Sequence, residues 1–416
     1  MRRRRLLCIL LLPALLLTAC WDRTQLEDRY YVIGLGLDRH PSGKLLVSAQ
    51  LAMAQLLAAG LLRGAAEPTE SAVACRTLST VAESIPQAMR ILNASLTRSL
   101  TLKHLRAVVI GEDLGREGVE PYLMELWRHP ESRGTELIAQ ARNDYAYRLL
   151  QECQPLGEIN LSRVPEGYLL QQKRYHLAPP VRLHQFMIRM GVSGADPFLP
   201  STALNSGIDR DPVELEAELE SARAGELERV GGNRVEFLGT AIYRKDRLKG
   251  FLTVDETQLL LALRGEMGKA YVTFPDPITP ERKVTLRFQQ ENLPRYRASF
   301  RDGAPHVNVD LLFEGEVLAV PGGTDYVPPA ARGRLEAAAA REAERIIWPL
   351  LDKLRMWEAD PVGFGLLFRG RFRDRDQWLA YKWEERVKEL GVDVSVKMRI
   401  RRYGLHTGPD RTRGGR

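Results

Sequence analysis

Apolar positions recur along this chain with two periods, and the change from one to the other predicts its architecture. The runs Tyr31-Val-Ile-Gly-Leu-Gly-Leu37 and Lys44 to Gln50 flank a turn at Pro41-Ser-Gly43, which predicts a β-hairpin. Leu105 to Ile110 reads as a strand ending at Gly111, and a helical stretch follows from Arg116 to Trp127. Thr135 to Ala141 predicts another strand, with a helix after Asn143. Strands alternating with helices up to about residue 200 make 20–200 an N-terminal domain of mixed α and β.

The C-terminal half is more regular. Val284, Leu286 and Phe288 alternate with polar neighbours, as do Val307, Val309, Leu311, Phe313 and Val317. Val392, Val394, Val396, Met398 and Ile400 repeat the pattern. A period of two marks strands with one buried and one wet face, the habit of antiparallel sheets. Between these strands Leu335, Ala339, Ala343, Ile346, Ile347, Leu350, Leu354 and Trp357 recur at helical spacing. Pro349 lies within that helix, where its missing N–H predicts a kink or a break just before it. Trp348, Trp357, Trp378 and Trp383 are expected in the core. A sheet covered on one face by long helices makes 234–407 a C-terminal α+β domain, divisible near residue 275. The predicted fold class is therefore α+β and multi-domain, with mixed and largely antiparallel sheets covered by helices.

Residues 201–233 separate the halves. Asp209, Asp211, Glu214, Glu216, Glu218, Glu220, Glu226 and Glu228 crowd this segment, and Gly231-Gly232 closes it. Val213, Leu215, Ala217 and Leu219 fit a strand, while Leu215, Leu219 and Ala222 fit a helix, so its element stays open. The segment reads as an acidic linker or edge element.

Residues 1–19 have another character. Arg2 to Arg5 precede an apolar run from Leu6 to Leu17, and Leu17-Thr18-Ala19-Cys20 ends it. That run is shorter than the ~20 residues a spanning helix needs, and the layout is that of a secretory signal peptide. Leu-Thr-Ala-Cys resembles a bacterial lipobox, which predicts a signal peptide over 1–19 and lipidation of Cys20. Two acyl chains hold a protein stably at a membrane where one does not. Trp21 beside the lipid suits the headgroup layer.

Charge changes the picture less than it first suggests. The formal net charge is +7, but four arginines belong to the signal peptide, which leaves about +3 on the mature chain. Arg411, Arg413 and Arg416 in the basic tail 408–416 account for that excess, so a nucleic-acid partner has no support. With Cys8 lost and Cys20 acylated, only Cys75 and Cys153 remain, either paired or as free thiols.

No constellation for catalysis emerges. The histidines are scattered singly, and His176 and His184 are separated by Pro179-Pro180, so no metal ligand set is expected. Gly191-Val-Ser193-Gly194-Ala195 fails as a nucleophile elbow because Ala195 replaces the last glycine. Gly34-Leu-Gly36 fails as a dinucleotide fingerprint because Arg39 stands at the third position. Gly265-Glu-Met-Gly268-Lys269-Ala270 lacks the spacing and hydroxyl of a phosphate loop. The expectation is a protein that is not an enzyme and carries neither cofactor nor metal.

Three motifs carry a resemblance. Cys20-Trp21-Asp22-Arg23-Thr24-Gln25-Leu26, with Gly34, Gly36 and Asp38, opens the chain. Phe237-Leu-Gly239-Thr240-Ala241-Ile-Tyr243 continues to Asp246, Leu248, Gly250, Leu252, Glu256-Thr257 and Leu260. There Lys245-Asp246-Arg247 predicts a hairpin turn, and Asp255 and Glu256 start an amphipathic helix. Asp360-Pro-Val-Gly363-Phe364-Gly365 precedes Trp383 and a last strand ending Arg401-Arg402-Tyr403-Gly404. In this order they resemble the Ger(x)C family, the C subunits of bacterial spore germinant receptors. Gln25, Leu37 and Pro361 depart from its usual residues.

The resemblance implies a lipoprotein subunit on the outer face of the cytoplasmic membrane, the spore inner membrane. It implies A-type and B-type membrane subunits as partners in a complex that senses nutrients and triggers germination. The alternative is an extracytoplasmic solute-binding lipoprotein of a transport system. Such proteins are built of parallel βαβ lobes, which the alternating C-terminal strands disfavour.

Overall fold

Two sheets and the helices around them make up the protein in a computed structural model. It describes residues 28–52, 75–152, 167, 175–205, 207–208, 211–216 and 218–403. The predicted first hairpin is β1 (Arg29–Arg39) and β2 (Leu45–Ala52), antiparallel, with β3 (Cys75–Ala82) added beside β2. Helix α1 (Ile85–Asn93) follows, then β4 (Ser99–Thr101) and β5 (Ala107–Ile110). The single helix expected next is two, α2 (Glu112–Glu117) and α3 (Glu120–Arg128), divided at Gly118 with φ 137°. Strand β6 (Leu137–Ala141) and α4 (Ala146–Gln151) come where they were expected. Strand β7 (Val181–Arg182), α5 (Leu183–Met190) and β8 (Phe198–Leu204) complete this part of the chain.

Strands β1, β5, β6 and β8 are parallel neighbours. Every residue of β5 and β6 is buried, because helices cover both faces of the sheet there. Leu35, Leu37, Val108, Ile110 and Ile138 face the main core, while Val109 and Ala141 pack with Ala146, Leu149 and Leu150 of α4.

The first residues of the acidic segment, 201–204, belong to β8, and its other described residues form turns with a short 3-10 helix at Pro212–Glu214. It is not a free linker. Ala222 and Ala224 are buried, Ala224 N–H donates to Leu238 O (3.2 Å), and Val254 N–H donates to Ala222 O (3.1 Å). The segment leads from β8 to its antiparallel neighbour β9 (Val235–Arg244), and the Lys245-Asp246 turn leads on to β10 (Arg247–Leu252). The hairpin β9–β10, though it lies beyond the acidic segment, thus completes the first sheet, whose order is β10-β9-β8-β6-β5-β1-β2-β3.

Helix α6 (Val254–Leu263) starts at the two acids as expected, and the Thr253 and Glu256 side chains cap each other's backbone N–H. It is not amphipathic. Every residue except Asp255 is buried, because the helix is wedged between β9, α7 and the second sheet.

That sheet comprises β11 (Lys269–Pro275), β12 (Lys283–Gln290), β13 (Arg295–Arg301), β14 (Ala304–Ala319) and β15 (Gly391–Arg402). Strands β12 and β13 lie in line along one edge of β14, pairing antiparallel with residues 313–319 and 304–310. Strand β15 pairs with the other edge of β14 and is parallel to it, which corrects the antiparallel expectation for the last strand. The crossover between them contains α7 (Pro329–Met356), which packs on β15 and α6. Helix α7 runs on through Pro349 without a break; that residue faces solvent, where the carbonyl it leaves free can be hydrated. Short helices α8 (Gly365–Arg369), α9 (Arg375–Tyr381) and α10 (Trp383–Arg386) follow. Trp378 and Trp383 are core residues as expected, whereas Trp348 is 43% exposed on α7.

Candidate functional site at the junction of the two sheets

Asp360 sits in the loop between α7 and α8, and the loop folds around its carboxylate. Oδ1 accepts the N–H groups of Gly363 (2.7 Å) and Phe364 (2.9 Å), while Oδ2 accepts Gly365 N–H (2.8 Å) and Trp383 Nε1–H (3.1 Å). Asp196, just before β8, does the same for the first sheet. Its Oδ1 accepts Lys245 N–H (2.9 Å), and its Oδ2 accepts Asp360 N–H (2.8 Å). Asp196 N–H donates in return to Asp360 O (2.8 Å), so the two loops are bonded reciprocally.

Two guanidinium groups fasten the same seam. Arg189 of α5 donates through Nε to Asp196 O (3.1 Å) and through Nη2 to Pro361 O (2.8 Å) and Val362 O (3.3 Å). Arg264, just after α6, donates through Nη1 to Pro361 O (2.7 Å) and pairs with Glu266. The backbones also approach closely. A Cβ on Gly365 would lie 2.5 Å from Gly194 Cα and 2.6 Å from the Trp383 ring, and Gly194 itself has φ +100°. The near-miss motif around Ser193 is therefore a turn that seats the α8 loop.

Burial governs the electrostatics. It pushes the Asp360 carboxyl up to about 6, against the downward pull of the three backbone N–H groups it accepts. Burial also raises Asp196, again against two N–H donors. Burial, and then the neighbouring Arg264, lower Arg189 to about 10.

A cleft of about 790 Å³ opens beside this seam, walled by Pro179, Pro180, Phe186, Val192, Phe198 and Leu366. Arg264 lies over the Phe198 ring, 4.8 Å from its centroid, and His184 turns Nδ1 to Gly134 O (2.8 Å). His176 bridges the backbone at Lys269 O (2.9 Å) and Gly268 N–H (2.9 Å). The polar groups around the cleft thus bond to backbone or to one another, and the arrangement is that of a clamp. Among the described residues no group of three His, Cys, Asp or Glu side chains is placed to hold a metal ion.

Cys20, the one residue singled out for modification, lies outside the described residues, as do the signal peptide, Cys153 and the basic tail. The other motif residues have structural roles. Asp38 accepts N–H from Ala146 (2.7 Å) and Tyr147 (3.0 Å) and so caps α4, which packs closely over Gly34 and Gly36. Gly239 has φ +79°, at a register shift between β8 and β9. The Asp360 motif drew notice in the sequence, but Arg189, Asp196 and Arg264 did not. Their partners are remote in sequence, and lone Arg and Asp residues in a chain that is 27% charged carry no signal.

Residues 22–204 match the family model described as spore germination protein N-terminal domain. Residues 238–404 match the one described as spore germination B3/GerAC like, C-terminal. Spore germination protein KC of Bacillus subtilis (strain 168) is 24% identical over 415 residues, covering 98% of each chain. Spore germination protein GerQC of Bacillus cereus is 19% identical over 309 residues, covering 74% of this chain and 76% of that one. The crystal structure of the GerBC protein superposes with a TM-score of 0.52 at 15% identity, covering 88% of this chain and 96% of the other.

Proposed function

The chain belongs to the GerAC-like family of spore germination proteins, and from that membership we propose that it is the lipid-anchored C subunit of a nutrient germinant receptor. The observation that carries this reading is the order of its parts: a lipobox cysteine at 20, then the two family regions over 22–204 and 238–404. Among the described residues no helix is long and apolar enough to cross a membrane. A diacylated Cys20 would hold the protein at the outer face of the cytoplasmic membrane, beside A-type and B-type membrane subunits.

In this reading the protein works by contact and not by turnover. The geometry of the seam supports it, because Asp196, Asp360, Arg189 and Arg264 join two sheets to each other. Tethering raises the effective concentration of a membrane partner, to the millimolar range for a short flexible attachment, so weak contacts suffice.

The test is co-purification of the tagged full-length chain from spore membranes. The A-type and B-type subunits are expected with it, and Cys20→Ala is expected to leave the chain unprocessed or shed from the membrane. A mature N-terminus without lipid, or recovery of the chain without either subunit, would overturn the reading. So would tight stoichiometric binding of a nutrient to the isolated chain.

A further inference from the structure

Strand β15 has one edge in the sheet and one edge open. Leu312 O, on β14, accepts Glu291 N–H on the β12–β13 side, so even-numbered residues of this part of β14 bond that way and odd-numbered ones bond β15. On β15 the odd residues then face β14. Ile400 N–H turns the other way and meets Glu336 Oε1 of α7 (2.8 Å). The N–H and C=O groups of Val392, Val394, Val396 and Met398 follow the same alternation and point out of the sheet. None of them has a hydrogen-bond partner among the described residues beyond that ladder.

The side chains at this edge are unequally charged. Val392, Val394, Val396, Met398 and Ile400 are buried on the α7 side. Lys397, Arg399 and Arg401 stand exposed on the opposite face at alternate positions. Arg399 and Arg401 share one carboxylate, Glu291, at 3.8 and 2.7 Å. Asp393, on the same face at the start of the strand, bonds His306 and Arg301. From Ser395 onward β15 itself carries four cations, Lys397, Arg399, Arg401 and Arg402, and no acid, so the C-terminal half of the edge is positive.

We infer that the open edge of β15 takes up an extended, acidic segment of a partner protein as an added strand. The inference rests on the reading that this chain acts by contact, and it names the surface. Main-chain pairing supplies the affinity of such strand addition, and side chains at alternate positions supply its specificity. Acids at every second position of the incoming strand would stand directly opposite Lys397, Arg399 and Arg401, where opposite charges stabilise. A second copy of β15 pairing in parallel would bring cations against cations, and one pairing antiparallel about Lys397 would set Lys397 against itself, which disfavours those registers of self-pairing.

Hydrogen exchange on the intact chain tests this, with a synthetic peptide alternating threonine and glutamate as probe. The amides of Val394, Val396 and Met398 are expected to exchange about tenfold or more slower with the peptide, while those of odd residues, already in the ladder, change little. The double variant Lys397→Glu, Arg399→Glu should lose this protection while keeping the parent's melting temperature. Unchanged exchange at saturating peptide would overturn the inference. Equal protection by a threonine–lysine peptide would overturn its acidic character, and concentration-dependent protection of the chain alone would make the occupant a second copy.

A photo-crosslinker at Ser395 in the membrane complex separates this inference from the receptor reading. Co-purification of the A-type and B-type subunits with no crosslink from Ser395 and unprotected β15 amides would sink the edge and leave the reading standing. Peptide protection without co-purification would do the reverse.

Discussion

The two sheets solve the problem of exposed backbone in opposite ways. In the first, β1, β5 and β6 are flanked by strands and covered by helices on both faces, so that β5 and β6 are wholly buried. The second keeps one face wet, its long strands β14 and β15 alternating buried and accessible residues, and leaves the outer edge of β15 largely unpaired. The buried centre of the first sheet offers a partner nothing, and only its loops and its end strands β3 and β10 reach the surface. A sheet with a wet face and a free edge can be joined. On the inference drawn above, the first sheet is the frame and the second is the one a partner joins.

The sharpest way to break this division is at the seam. Asp360→Ala would orphan the N–H groups of Gly363, Phe364 and Gly365 and the Trp383 indole. At about 1–3 kcal/mol for each buried orphan, a loss of more than about 4 kcal/mol is expected in chemical denaturation. A loss under 1 kcal/mol would show the loop holding itself without the carboxylate.

The pH response should differ between the regions. Burial places Asp38 and Asp360 at about 6, above the ordinary 3.8. The folded chain then keeps protons that the unfolded chain has released, so their contribution is full below about pH 4 and falls as pH rises to about 6. Each can lose up to about 3 kcal/mol. On the second sheet the sign reverses. Hydrogen bonding to His306 holds Asp393 below its ordinary value, so its contribution is present above that value and fades as pH falls through the lowered one. Stability measured from about pH 4 to pH 7 should decline, and Asp360→Asn should flatten the decline; a steeper slope in the variant would refute the assignment.

Gly239→Val probes the first sheet alone. The new Cβ would lie 2.2 Å from Leu252 O in a backbone at φ +79°, so a loss of about 2–3 kcal/mol is expected. An unchanged melting curve would leave the glycine without a packing role. The smallest effect belongs to the wet face, where Lys397→Glu should alter stability by no more than about 0.5 kcal/mol. A larger loss would make Lys397 part of the fold and not of a docking edge.

Much of this contrast was legible in the residues. Val307 to Val317 and Val392 to Ile400 state their buried faces by alternation, and Asp38 and Asp360 stood out within motifs. What periodicity cannot encode is direction. A period of two is the same in a parallel and an antiparallel strand, so only the crossover through α7 reveals that β15 runs with β14. The all-round burial of α6 escaped for a related reason. Asp255 and Glu256 read as one polar side, yet Glu256 is spent capping Thr253 and pairing with Lys353 of α7. The seam was the least legible part, because Asp196 and Asp360 are 164 residues apart.

The placement of β9 and β10 in the first sheet bears on how the chain must be made. Their residues, 235–252, come after the acidic segment, so the sheet stays unfinished until the polypeptide has been extended well past its midpoint. A fragment ending at residue 204 would stop with β8 as a bare edge, a template for aggregation. A chain emerging from its N-terminus therefore passes through a stage in which its most buried sheet is its stickiest surface. The hairpin that ends this exposure is turned by just two residues, Lys245 and Asp246, the first with φ 55°. So local a closure can form within microseconds of its appearance, which makes the arrival of those residues, and not their pairing, the slow event.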